Sequence, residues 1–141
     1  MLCLGIDTAL GACSVALASE SGLRARRYRA MTAGHAEALA PMAEALMAEA
    51  GVAFADLGRI AVTTGPGTFT GQRIGLAFAR GLAAALGIGC VGLTTLEVIA
   101  AAARAEYPGR PVLVASDARR GEAYVQGFAA DGAPLGPPAL L

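Results

Sequence analysis

One run of the sequence carries the residues best suited to chemistry: Gly65-Pro66-Gly67-Thr68-Phe69-Thr70-Gly71-Gln72-Arg73-Ile74-Gly75. A glycine-rich loop leading into a helix can turn its amides toward an anion, and Gly65 and Gly67 are the positions for that use. The other use is structural. Gly71, Gly75, Ala79 and Ala83 recur every four residues, so one helix face is nearly bare and another helix can approach its backbone. That spacing favours packing or an interface over phosphate binding. The partner helix could belong to the same chain or to another one. Asp7 and Asp117 each follow an apolar run. A carboxylate at a strand end can contribute to a nucleotide site, and it can also simply cap a turn, which is the blander use. His35 is the only histidine, and Leu39 stands one helical turn after it. One histidine does not make a metal site, so its expected role is a hydrogen bond at a helix start or an interface. Ser14 and Ser116 have nothing nearby in sequence that specifies a nucleophilic triad.

Composition narrows the classes further. The 141 residues suffice for one ordinary domain, or for a small domain and the start of another. A hydrophobic fraction of 55% with 5% aromatic residues and no Trp implies a core of small aliphatic side chains that lets elements approach closely. All 11 basic residues are Arg. Without Lys there is no P-loop and no Schiff-base chemistry. With 11 acidic residues the net charge is zero, so no global field draws the chain to nucleic acid. Arg24, Arg26, Arg27 and Arg29 form the one basic cluster. Alternation places Arg24, Arg26 and Tyr28 on one face of a strand and Arg27 and Arg29 on the other. A solvated edge strand fits this pattern, and an RNA-facing patch is the other reading. Cys3, Cys13 and Cys90 are odd in number and sit in apolar runs, which predicts free thiols in a reducing compartment. Met1–Ile6 lacks the charge and length of a signal peptide, and no apolar run is long enough to span a membrane. The expected location is the cytoplasm.

The elements that must position these residues follow from periodicity. Leu2–Ile6, Ala12–Ala18 and Gly22–Tyr28 read as an antiparallel meander. Leu39, Met42, Ala43, Leu46, Met47 and Ala50 mark a helix that Gly51 stops, with Pro41 in its first turn or at a kink. A strand over 59–64, a helix from about Thr70 to Leu86, a strand over 88–91 and a third helix after the Thr94/Glu97 capping box complete the order. The expected fold is α/β: a mixed five-stranded sheet with helices on its faces, the ribonuclease-H-like unit of the actin, Hsp70 and sugar kinase superfamily. Residues 112–132 echo residues 2–22, with Asp117 at the place of Asp7 and Gly121 at that of Gly11. This predicts a first domain over 1–108 and, over 109–141, the opening hairpin of a truncated second copy. On that reading the chain is a fragment or an unusually short form.

The loop and its surroundings resemble a known family. Gly65-Pro66-Gly67-Thr68-Phe69-Thr70-Gly71 followed by Arg73-Ile74-Gly75 is similar to the signature of the TsaB (YeaZ) family. Ile6-Asp7-Thr8 with Cys13-Ser14-Val15-Ala16 resembles that family's opening. His35, Leu39 and Pro41 resemble its first helix, and Asp117–Tyr124 resembles its second-half opening. Thr68 and Gln72 are mild variants, and the missing C-terminal part is the larger departure.

The resemblance implies a non-catalytic scaffold in the machinery that makes threonylcarbamoyladenosine in tRNA. Its partners would be a TsaD-like catalytic subunit and a TsaE-like ATPase, with a possible homodimer and tRNA reached only through the complex. No cofactor of its own is implied; ATP and magnesium would belong to the partner subunits. Carried over, the interface would use Leu39, Met42, Leu46 and Met47 of the first helix. From the second it would use Gly71, Arg73, Gly75, Leu76, Ala79 and Arg80. Asp7, Gly65, Gly67 and Asp117 remain weak candidates for nucleotide binding, since their turns lack the glycine-rich phosphate pattern of the superfamily kinases. The rival readings are an ATP-dependent transferase or metallopeptidase-like enzyme of the same superfamily, and a purely structural homodimer.

Overall fold

The computed structural model describes all residues, 1–141, as two compact units, Met1–Leu93 and Thr94–Leu141. In the first unit β1 (Leu2–Asp7), β2 (Ala12–Ser19) and β3 (Gly22–Ala30) form the meander. Helix α1 (His35–Ala50), strand β4 (Leu57–Thr63), helix α2 (Phe69–Leu86) and strand β5 (Gly89–Leu93) follow. The five strands make one sheet in the order β3-β2-β1-β4-β5. Strand β1 is antiparallel to β2 and parallel to β4, and β4 is parallel to β5. The mixed sheet follows from the connections: tight turns join the meander, and helical crossovers join the parallel strands.

Alternation decides which face is covered. Leu4 and Ile6 of β1 sit beside Leu17 and Val15 of β2 and beside Ile60 and Val62 of β4. All six are buried, together with Leu39, Leu46 and Met47 of α1 and Ala79 and Ala83 of α2. Both helices therefore lie on this one face of the sheet. Each stops at a glycine with left-handed backbone, Gly51 and Gly87, both at φ 67°. A side chain would be strained there, and the glycine amides close onto the last helical carbonyls. Pro41 lies inside α1, well past its first turn. It has no amide hydrogen, so the Glu37 carbonyl lacks its helical donor, yet the helix runs on because its inner face is fully packed.

Strand β3 departs from simple alternation. Its register with β2 shifts between Leu17 and Ala18, so Arg24 is the extra residue of a bulge. Leu23, rather than Arg24, therefore pairs on the face that carries Arg26 and Tyr28.

The second unit contains α3 (Thr95–Glu106), β6 (Val112–Arg119), β7 (Glu122–Phe128) and the short β8 (Ala139–Leu140). Its sheet has the order β6-β7-β8. Thr94 caps α3 as the sequence pattern requires: its hydroxyl accepts from Glu97 N at 3.1 Å, and the Glu97 carboxylate accepts from Thr94 N at 2.7 Å. Leu96 and Ala100 of α3 are buried with Val114 of β6 and Phe128 of β7. The helix thus packs within Thr94–Leu141, so this unit begins ahead of the boundary expected at residue 108. The reason is the apolar stripe of α3, which finds its cover on the second sheet.

No helix is long and apolar enough to cross a membrane. The three cysteines are free thiols. Burial pushes the thiols of Cys3 and Cys13 above their ordinary value, while Arg59 and Arg29 respectively pull them back in part. Cys90 is exposed. Since the thiolate is the reacting form, alkylation of the folded chain at mildly alkaline pH should modify Cys90 first, Cys3 more slowly and Cys13 only on unfolding. Peptide mapping by mass spectrometry checks this order, and equal rates at Cys13 and Cys90 would contradict the packing described.

Candidate functional site

The glycine loop is built onto the turn that follows β1. Asp7 ends that strand, and its Oδ1 accepts from Ala9 N at 3.0 Å and from Thr63 Oγ1 at 2.7 Å. This holds the turn closed and joins it to the end of β4. Thr68 N then donates to Ala9 O at 2.7 Å. Thr8 Oγ1 reaches the start of α2 and donates to Gly71 O at 2.5 Å. Thr68, and not Thr70, caps the helix: its hydroxyl accepts from Gly71 N at 3.1 Å. Both threonines suit a cap by residue type, but only the backbone at Thr68 is extended, as a cap requires.

The glycines are there for clearance. A Cβ on Gly67 would collide with the backbone of Ala9, and one on Gly71 would collide with the Thr8 carbonyl. A Cβ on Gly75 would stand 2.5 Å from Thr8 Oγ1, with Val62 and Ile6 close behind. Several loop amides are already engaged within the chain: Thr68 N on Ala9 O, Gly71 N on the Thr68 hydroxyl and Gln72 N on Thr68 O. Asp7 has one oxygen committed twice. The arrangement therefore ties a strand end to a helix start.

Helix α2 has two faces with different uses. Gly71, Gly75, Ala79 and Ala83 are buried against the sheet of their own unit. This corrects the placement of Gly71, Gly75 and Ala79 on a surface between chains. The same holds for Leu39, Met42, Leu46 and Met47 of α1, all buried in the core of the first unit. Periodicity alone cannot say what covers an apolar face, and here the sheet does. Of the residues expected at an interface, Arg73 and Arg80 are exposed and Leu76 is half-buried. They lie along the outer face of α2. Phe69, which the sequence reading left out of the surface, joins them: it is 66% exposed. The Arg73 guanidinium lies 3.6 Å from its ring centroid, a cation–π stack. Its spacing of four residues before Arg73 was the available signal.

His35 is buried at the first position of α1, and its Nε2 has no hydrogen-bond partner within the chain. In the second unit Asp117 Oδ1 accepts from Arg119 N at 2.8 Å. That repeats the Asp7 turn, with the acceptor two residues before the donor in both.

Known proteins match this arrangement. A family model described as "TsaD: tRNA N6-adenosine threonylcarbamoyltransferase" matches residues 29–133. The "tRNA threonylcarbamoyladenosine biosynthesis protein TsaB" of Escherichia coli is 37% identical over 124 residues, which are 88% of this chain and 53% of that protein. The solved structure of YeaZ from Pseudomonas aeruginosa superposes with a TM-score of 0.91 at 36% identity, covering 99% of this chain and 67% of that one. The chain belongs to the TsaB/YeaZ family. It spans about half the length of the curated TsaB relatives it matches. A ROK hexokinase from Thermus thermophilus, 22% identical with a TM-score of 0.59, covers 96% of this chain and 48% of its own. That likeness concerns the fold alone.

For a TsaB/YeaZ-type chain the two sides of α2 should answer differently to mutation. Gly71→Ala should destabilise the protein by about 1–3 kcal/mol, because its Cβ meets the backbone of the β1–β2 turn. Gly81→Ala in the same helix has open space around its Cβ and should stabilise by about 0.5–1 kcal/mol. Urea denaturation of both variants measures the difference, and equal effects would show that the turn yields to the added methyl.

Proposed function

We propose that this chain acts as a TsaB-type scaffold that binds and supports a TsaD-like catalytic subunit in the threonylcarbamoylation of adenosine in tRNA. The observation that carries the reading is the likeness to YeaZ over 99% of the chain, at an identity well above that of the superfamily's kinases. The chemistry of the loop supports a role without catalysis. Asp7 Oδ1 and three amides of 68–72 are hydrogen-bonded inside the chain, where a phosphate-handling site would hold them free.

The outer face of α2 is the surface we assign to the partner. Phe69, Arg73, Leu76 and Arg80 recur at four-, three- and four-residue steps and form one continuous stripe. A stacked aromatic–arginine pair beside an aliphatic residue is the composition of an interface centre. The inner face of the same helix is locked into the sheet, so a partner seated on α2 meets a rigid platform with little ordering cost. A TsaE-like ATPase and tRNA would join through the catalytic subunit, and self-association would use the same stripe.

Co-purification with the TsaD of the same organism tests the reading, together with an assay of tRNA modification by the mixture. A stable complex that modifies tRNA only when this chain is present is the expected result. Arg73→Glu combined with Arg80→Glu, both exposed, should weaken the complex at least about tenfold while the isolated chain keeps its melting temperature. Transferase activity of this chain alone would replace the scaffold reading with the enzymatic one. Self-association that the same variant abolishes, with no binding of TsaD, would leave only the structural dimer.

A further inference from the structure

Strand β3 lies at the edge of the first sheet and pairs only with β2. One row of its backbone N–H and C=O groups therefore faces away from the sheet, a template for another strand. The bulge at Arg24 disturbs the start of this edge, but Ala25–Ala30 pairs regularly with 12–17 of β2. Beside that stretch, between the strand and α1, is a cavity of about 380 Å³ lined by Arg27, Arg29, Glu37, Ala38, Pro41 and Met42 among others. Arg27 is engaged, with Nη2 2.8 Å from Glu49 Oε2. Arg24, Arg26 and Arg29 make no ion pair. All three are exposed, as is Tyr28 at 71%.

We propose that the β3 edge and its groove form a docking site for an extended acidic segment of a partner protein. The segment adds as a sixth strand, sets carboxylates against Arg26 on one face and Arg29 on the other, and lays an apolar side chain beside Pro41 and Met42. This surface is separate from the α2 stripe and does not depend on the scaffold reading.

Three features select this occupant. A second copy of the chain would set Arg against Arg across the new pair, which like-charge contacts disfavour. A nucleic acid has no alternating donors and acceptors to match a strand edge. Its bases would find a single aromatic side chain, Tyr28, on β3. A peptide backbone satisfies both kinds of edge group, and the groove gives its alternate side chains a place.

The test uses the whole chain and a fluorescein-labelled peptide of Glu-Glu-Val repeats, as long as the 9-residue strand, so that each of its faces carries both Glu and Val. A control peptide carries Pro in place of each Val and so loses amide donors to the edge in either register. An oligouridylate of the same length supplies the nucleic-acid arm. The Glu–Val peptide should bind saturably in fluorescence anisotropy and slow amide hydrogen exchange within 25–30, and the Pro peptide should not bind. Arg26→Glu with Arg29→Glu should weaken binding at least about tenfold, and Arg26→Gln with Arg29→Gln by less. Circular dichroism melts establish that both variants fold, and the milder pair serves if the charge reversal does not. Absence of saturable binding, binding unchanged by both double variants, or tighter binding of oligouridylate than of the peptide would each overturn the proposal.

Discussion

The backbone of α2 comes so near the turn after β1 that no side chain fits between them. At Gly67 and Gly71 the obstacle is backbone, which cannot swing away as a side chain can. The approach is held by Thr8 Oγ1 on Gly71 O and by Thr68 N on Ala9 O. It is buried, so each of these bonds also prevents an unsatisfied polar group in the core. Asp7 adds the link to Thr63, which fastens the ends of β1 and β4 at the same place. The orientation of α2 on the sheet, and with it the direction of every side chain on that helix, rests on this junction.

Once the junction is made, the helix has one face for the fold and one toward solvent. The inner stripe of Gly71, Gly75, Ala79 and Ala83 buries little side-chain volume, but it brings the helix backbone close to Ile6 and Val62. Dispersion across such a close contact takes the place of bulky side chains. The outer stripe keeps its larger residues, Phe69, Arg73, Leu76 and Arg80, for the surface. Helix α1 differs: its inner face is large and apolar, and Leu39, Leu46 and Met47 join the core where the helix packs on β2 and β3. The first unit thus combines a closely docked small-residue helix with a conventionally packed one, on the same face of one sheet.

The edge of the sheet shows how charge and pairing interact. Four arginines on one strand discourage β3 from joining its own kind, while the Arg27–Glu49 pair fastens the strand to α1. The turn chemistry of the second unit repeats that of the first, with Asp117 serving Arg119 as Asp7 serves Ala9. An Asp at the end of a first strand closes the turn in both units by local hydrogen bonding, whatever packs around it.

Local features of this protein were legible in its sequence because their causes are local. The Thr94–Glu97 box, the stops at Gly51 and Gly87, the turn at Asp7 and the order of strands and helices through β5 each follow from residues within one turn or one strand length. The family signature was legible for the same reason, as a run of adjacent residues. What covers a face was not. The stripe through Gly75 and the apolar residues of α1 read equally well as a surface for a partner, because periodicity marks a face without naming its neighbour. Thr68 was chosen over Thr70 by backbone conformation, α3 by the sheet that buries Leu96, and the place of Arg24 by a register shift. Each of these depends on contacts between residues far apart in the chain, so tertiary structure alone decided them.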